Sequence, residues 1–243
     1  MNRPNLYLVM LHLGGNAALL WLGYYWLGIS EARTLSLLWS ALIALVLLVG
    51  ACWLHGAAFL SGQDSDLPRA FRTALRHLLP VVAGVVVIIV VYALLARWTD
   101  YLSGPGFRLA SYLTLKFRKP VKPASVLRVF SVVMWLVRWV LVPVFALPWI
   151  SGIAVHGWRG FAPKLPKLLY VIETPILLLC ALWLPLKVIN WVPAVGGFTL
   201  EILSFSVRLL LAYLLFVGAW LVLVRLTSSG KLVPSQARTL ASP

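Results

Sequence analysis

Six stretches of mainly apolar residues recur along the chain, at residues 6–29, 35–59, 80–98, 126–150, 168–190 and 200–226. A helix needs about 20 such residues to cross a hydrocarbon layer. Inside that layer an unpaired backbone group costs several kcal/mol, so a spanning chain closes its hydrogen bonds within helices. The pattern predicts an all-α integral membrane protein with about six transmembrane helices. Composition agrees: 62% of residues are hydrophobic and 11% charged, against roughly 45–50% and 25% in soluble domains. The connections are too short for a soluble domain of ordinary size. Residues 1–226 therefore read as a single polytopic membrane domain, and 227–243 as a polar, disordered tail. The first run has only Arg3 ahead of it, is too long for a signal core and leads directly into a second run. It reads as a retained helix.

The polar residues between the runs are strongly basic. Before the third run, Phe71, Leu75, Leu78 and Leu79 lie on one helical stripe and Arg69, Arg72 and Arg76 on another. The segment 68–79 is therefore a short amphipathic helix in the interface, joined through Pro80 to the third span. Asp64 and Asp66 precede it and read as a solvated, capping turn, since the glycine and glutamate of a calcium loop are missing. After the third run, Ser103-Gly104-Pro105-Gly106 is expected to form a turn and residues 107–119 a second interfacial helix. Lys116, Arg118 and Lys119 then lead into a proline-kinked approach to the fourth span. Pro143 and Pro148 are expected to kink that span, and Pro175 and Pro185 the fifth.

A net charge of +15 could serve nucleic acid, but beside apolar spans basic residues set topology and touch anionic headgroups. The expected partners are anionic membrane lipids and a membrane-protein partner, with no nucleic acid. Cys52 and Cys180 lie inside apolar runs and read as small hydrophobes. With six spans, the side holding both termini carries ten basic residues (Arg3, Arg69, Arg72, Arg76, Arg159, Lys164, Lys167, Arg225, Lys231 and Arg238). The other carries nine, concentrated between Arg97 and Arg128. The balance leans towards cytoplasmic termini because several short loops contribute rather than one.

The amphipathic pattern recurs about 90 residues on, where Phe161, Leu165, Leu168 and Leu169 repeat the spacing of Phe71, Leu75, Leu78 and Leu79. The same offset sets Arg118 against Arg208. Upstream, Trp53-Leu54-His55-Gly56 lines up with Trp149-Ile150-Ser151-Gly152 once a shorter second loop is allowed for. Two parallel repeats, 33–118 and 126–226 after an extra first helix, are one explanation. Chance in a leucine-rich chain is the other.

Catalytic chemistry is hard to find. No HExxH, GxSxG, phosphate-binding loop or dinucleotide fingerprint is present, so neither a metal nor a cofactor is expected. His12 and Asn16 flank Gly14-Gly15, which reads as a close helix contact rather than a polar site. His55 and His156 would approach each other if the repeats stack, as a metal or haem site would require, and interfacial histidines with water partners are the simpler reading. What remains are charges within spans: Arg138, Glu173 and Arg208. Such charges usually pair, and the Arg138–Glu173 pair across the fourth and fifth spans is expected.

These features imply a non-enzymatic multi-pass protein of a bacterial-type inner membrane, an accessory or scaffold subunit holding anionic lipid through Arg69, Arg72, Arg76, Lys116, Arg118 and Lys119. The alternative is a small transporter with a polar midplane site around Arg138 and Glu173. A lipid-modifying enzyme has the least support, as no nucleophile or metal cluster is visible.

Overall fold

The structure, a computed structural model, describes residues 3–30, 32–61, 66–162, 168–192 and 197–229. Among these, every regular element is helical. In order they are α1 (Arg3–Leu27), α2 (Thr34–Ser61), α3 (Leu67–Arg76), α4 (Leu78–Tyr101), α5 (Ser103–Phe117), α6 (Pro123–Leu136) and α7 (Val142–His156), followed by α8 (Leu168–Asn190) and α9 (Phe198–Ser229). A π-helical turn, Val137–Leu141, joins α6 to α7, and a 3-10 turn, Gly157–Phe161, follows α7. Six of the described helices are long and apolar enough to cross a membrane, the fourth being the composite Pro123–Phe161.

The longest feature is an antiparallel pair, α4–α5 against α6–α7. Ser103-Gly104-Pro105-Gly106, expected as a turn, is the first turn of α5. Proline is harmless there because the first N–H groups of a helix have no partner inside it. Leu102 keeps near-helical dihedrals (φ −68°, ψ −13°), and the Gly106 N–H reaches its carbonyl at 2.9 Å, so the chain passes into α5 without reversing. Contacts then step along the pair in opposite directions: Gly84 faces Ile150 and Ile153, Tyr92 faces Trp139, and Gly106 faces Leu127. The reversal at the tip is made by Arg118 in the left-handed region (φ 51°), followed by Pro120 and Pro123.

Pro143 acts on its span through the π turn. In that turn the Val142 N–H bonds to the Val137 carbonyl. The carbonyl of Arg138 would next need the N–H of residue 143, which proline lacks. The Tyr92 hydroxyl supplies the missing donor at 2.6 Å. A polar side chain from α4 thus repairs a backbone fault in the adjacent span.

At the other end of the pair the chain makes two corners of similar construction. The α3–α4 break falls at His77 rather than at Pro80, which sits harmlessly in the first turn of α4. α3 lays Ala70 and Ala74 against α2, with Ala74 beside Gly56, and Trp53 donates its indole N–H to the Phe71 carbonyl at 3.1 Å. At the second corner Trp149 donates to the Phe161 carbonyl at 3.0 Å. The ring pairs match as well: Trp53–Phe71 at 5.4 Å and 88°, Trp149–Phe161 at 5.6 Å and 89°. His77 Nδ1 lies 2.7 Å from the Ala154 carbonyl, which ties the corners together. Between them lies a core of Cys52, Ala58, Phe59, Val81, Ile153, Ala154 and Val224.

Helix α9 runs through Thr227, which is buried and donates to the Leu223 carbonyl at 2.7 Å, so the polar tail does not begin there. Residues 230–243, 62–65 with Asp64, 163–167 with Lys164, Leu165 and Lys167, and 193–196 lie outside the described residues.

Candidate functional site

The two arginines within the long apolar helices have partners the sequence did not name. Arg138, half-buried in the π turn, donates from Nη2 to the Leu95 carbonyl at 2.7 Å and to the Thr99 hydroxyl. Thr99 itself donates to Leu95 O at 2.8 Å. The expected Arg138–Glu173 pair is not formed, and Glu173 stands exposed on α8. The reason is depth. Arg138 lies at the level of Thr99, two residues before the end of α4. Glu173 lies only five residues into α8, near the opposite end.

Arg208 follows the same principle on the second hairpin. It is 9% exposed and donates to the carbonyls of Ile189 and Trp191 at 2.7 and 2.6 Å, closing the C-terminal end of α8 from α9. Helix C-termini carry carbonyls without intrahelical partners and a partial negative charge. A guanidinium with five donors satisfies several of them at once. Arg118, its expected counterpart in the repeat, is instead an exposed residue at the end of α5, so the alignment does not hold there.

Arg69, Arg72 and Arg76 are exposed along α3, with Arg69 Nε 3.8 Å from Asp66. Asp66 is the residue before α3, but its side chain makes no capping bond. Lys116, Arg118 and Lys119 are exposed at the far end of α5. Lys116 lies over the Tyr112 ring at 5.9 Å. Since α4 separates α3 from α5, the two basic groups sit at opposite ends of a span-length helix.

One polar cluster escaped the sequence reading. His55 finds not His156, which is exposed at the end of α7, but His12: their rings are 6.0 Å apart and 19° from parallel. Trp220 of α9 meets His55 edge-on at 4.7 Å. His12 is fully buried, and both its ring nitrogens, His55 Nδ1 and Trp220 Nε1 have no hydrogen-bond partner. Each such group costs about 1–3 kcal/mol. Nearby, Asn16 donates to the His12 carbonyl at 2.7 Å within α1, and Tyr213 of α9 donates to that of Leu13, which ties α9 to α1. The signal available in the sequence was His12 and Asn16 on one face of an apolar helix. Gly15, beside them, does make the close helix contact expected, against Leu54.

The class defined by these features is a helical bundle with six span-length apolar helices. No family, curated protein or solved structure matches the chain.

Proposed function

We propose that the chain is a non-enzymatic multi-pass membrane protein, an accessory or scaffold subunit of a bacterial-type inner membrane, which holds anionic lipid through its two basic ends. The observation that carries this reading is the division of labour among its cations. Arg138 and Arg208 are bound to backbone carbonyls of neighbouring spans, whereas Arg72, Arg76, Lys116, Arg118 and Lys119 are exposed at the helix ends. A transporter needs its polar groups gathered around a midplane site, and Arg138 and Glu173, the pair such a site would use, stand apart. The matched Trp–Phe corners favour two parallel copies of one unit, with α1 added in front.

Each arginine near an anionic surface contributes about 1 kcal/mol. Replacing Arg69, Arg72 and Arg76 with Gln should therefore strip co-purified phosphatidylglycerol, read by native mass spectrometry, while phosphatidylcholine retention stays the same. The triple variant Lys116, Arg118 and Lys119 to Gln should act in the same direction. Unchanged anionic-lipid retention in both triple variants would overturn the lipid role.

A further inference from the structure

We propose that the groove between α1 and α2, beside α3, holds one acyl chain of an anionic phospholipid whose phosphate is met by Arg72. The inference rests on the lipid reading of α3 and narrows it to one groove, one arginine and one chain.

Three observations converge. First, α1, α2 and α3 form a groove of about 540 Å³ whose walls include Leu11, Ala18 and Leu22, Gly50 and Trp53, and Phe71. Its lining is apolar throughout, and the Trp53 indole N–H is already donated to the Phe71 carbonyl at 3.1 Å. The groove therefore offers a ligand burial without hydrogen bonds. Ala18 and Gly50 give it depth, because neither carries a side chain large enough to fill it. Second, its length is that of one leaflet. From Leu11 to Leu22 it follows about 16 Å of α1, at roughly 1.5 Å per residue, and half of a hydrocarbon core is about 15 Å.

Third, charge adjoins one half of the groove only. Trp53 meets Phe71, and its neighbour Leu54 packs at Gly15, so α3 adjoins the Leu11 half. Leu22, in the other half, lies among uncharged residues of α1. Around α3, at about 100° per residue, Arg72 stands nearest to Phe71, with Arg76 about 140° and Arg69 about 160° away. Arg69 is also held by Asp66 at 3.8 Å, whereas Arg72 is exposed. This division suits a molecule with an apolar tail and an anionic head. A partner helix seated in the groove would leave the arginines unused.

The test uses the full chain, stripped of lipid in detergent and titrated with phosphatidylglycerol under native mass spectrometry. One tight lipid per chain is expected at this site. Ala18→Phe, whose ring occupies the groove, should bind it roughly tenfold more weakly, and Ala93→Phe, at an exposed alanine of α4, should not. Arg72→Gln should weaken binding about fivefold and Arg69→Gln less than about twofold. Phosphatidylcholine, with the same tail and a neutral head, should respond to Ala18→Phe and not to Arg72→Gln. Phosphatidylglycerol with a diazirine in its acyl chain should crosslink to Leu11, Ala18 or Leu22 of the unaltered chain, a readout that needs no variant to fold. Full binding in Ala18→Phe, with binding lost in the triple variant of α3, would overturn the groove and leave the lipid reading standing. Unchanged binding in both triple variants would overturn both. Crosslinks confined to other helices, or a dimer of the chain that Ala18→Phe abolishes, would also overturn the site.

Discussion

The corner between α2 and α3 and the corner after α7 make the same clamp from different material. In both, a tryptophan near the end of a long helix donates its indole N–H to a phenylalanine carbonyl, and the two rings meet edge to face. The first corner then follows with a ten-residue amphipathic helix carrying three arginines, set on Gly56 through alanine methyl groups. The second uses a five-residue 3-10 turn pressed directly onto backbone at Gly152 and Gly160. The clamp fixes where the chain turns. The material after it decides how closely the turn packs and whether charge is presented.

The largest effect expected from breaking this comparison lies at the two glycine contacts. A Cβ on Gly160 would stand 2.3 Å from the Gly152 carbonyl oxygen and 2.6 Å from Ile153 Cα, and backbone cannot move aside cheaply. Gly160→Ala should cost about 3 kcal/mol or more. At Gly56 the added methyl would meet only Ala74 Cβ at 3.8 Å, an ordinary contact, so Gly56→Ala should change stability by less than about 1 kcal/mol. Unfolding of both variants in mixed micelles measures the contrast. Equal losses would mean that the corners are packed alike.

Next come the arginines, which close the far ends of α4 and α8. Arg138→Leu and Arg208→Leu should each lose about 2–3 kcal/mol, since each removes charge-assisted hydrogen bonds, to Leu95 O and Thr99 from Arg138 and to Ile189 O and Trp191 O from Arg208. Lysine at either position should not restore the loss, because a single ammonium cannot reproduce the planar fork. Arg138→Leu combined with Glu173→Leu should show simple additivity, as expected of residues that do not touch. A recovery in the double variant would restore the ion pair.

A smaller and more symmetrical effect is expected for the clamps themselves. Trp53→Phe and Trp149→Phe each delete one indole N–H bond and should cost about 1 kcal/mol apiece. Similar losses sharpen the case for a repeated unit. A loss confined to one corner would leave the resemblance as geometry without shared energetics.

Much of the bundle was legible because a membrane span is a long, one-dimensional signal. The fifth run, 168–190, coincides with α8, and the others differ from the helices by a few residues at their ends, except the fourth, 126–150, whose composite helix continues to Phe161. The Trp–Phe corners were half visible: the alignment paired Trp53 with Trp149 and Phe71 with Phe161, but nothing in the sequence said that each pair would touch. The partners of Arg138 and Arg208 were hidden because they are mainly backbone carbonyls, which every residue carries. A search for acidic partners led to Glu173 instead. Tyr92 was recoverable in principle, because Pro143 removes a donor that some side chain must replace. The His12–His55 contact joins the neighbouring helices α1 and α2 and was missed because the repeat pointed His55 to His156. The part Trp220 plays was not legible, because α9 reaches His55 only in the folded bundle.

The six-span arrangement requires α4 to cross a membrane and to set α3 and the tip of the α5–α6 hairpin on opposite sides. Single cysteines at positions 72, 119 and 158 of a chain lacking Cys52 and Cys180, reacted with an impermeant maleimide in sealed, oriented vesicles, test this directly. Positions 72 and 158 should label from one side and 119 only from the other. Labelling of 72 and 119 from the same side would contradict the six-span arrangement.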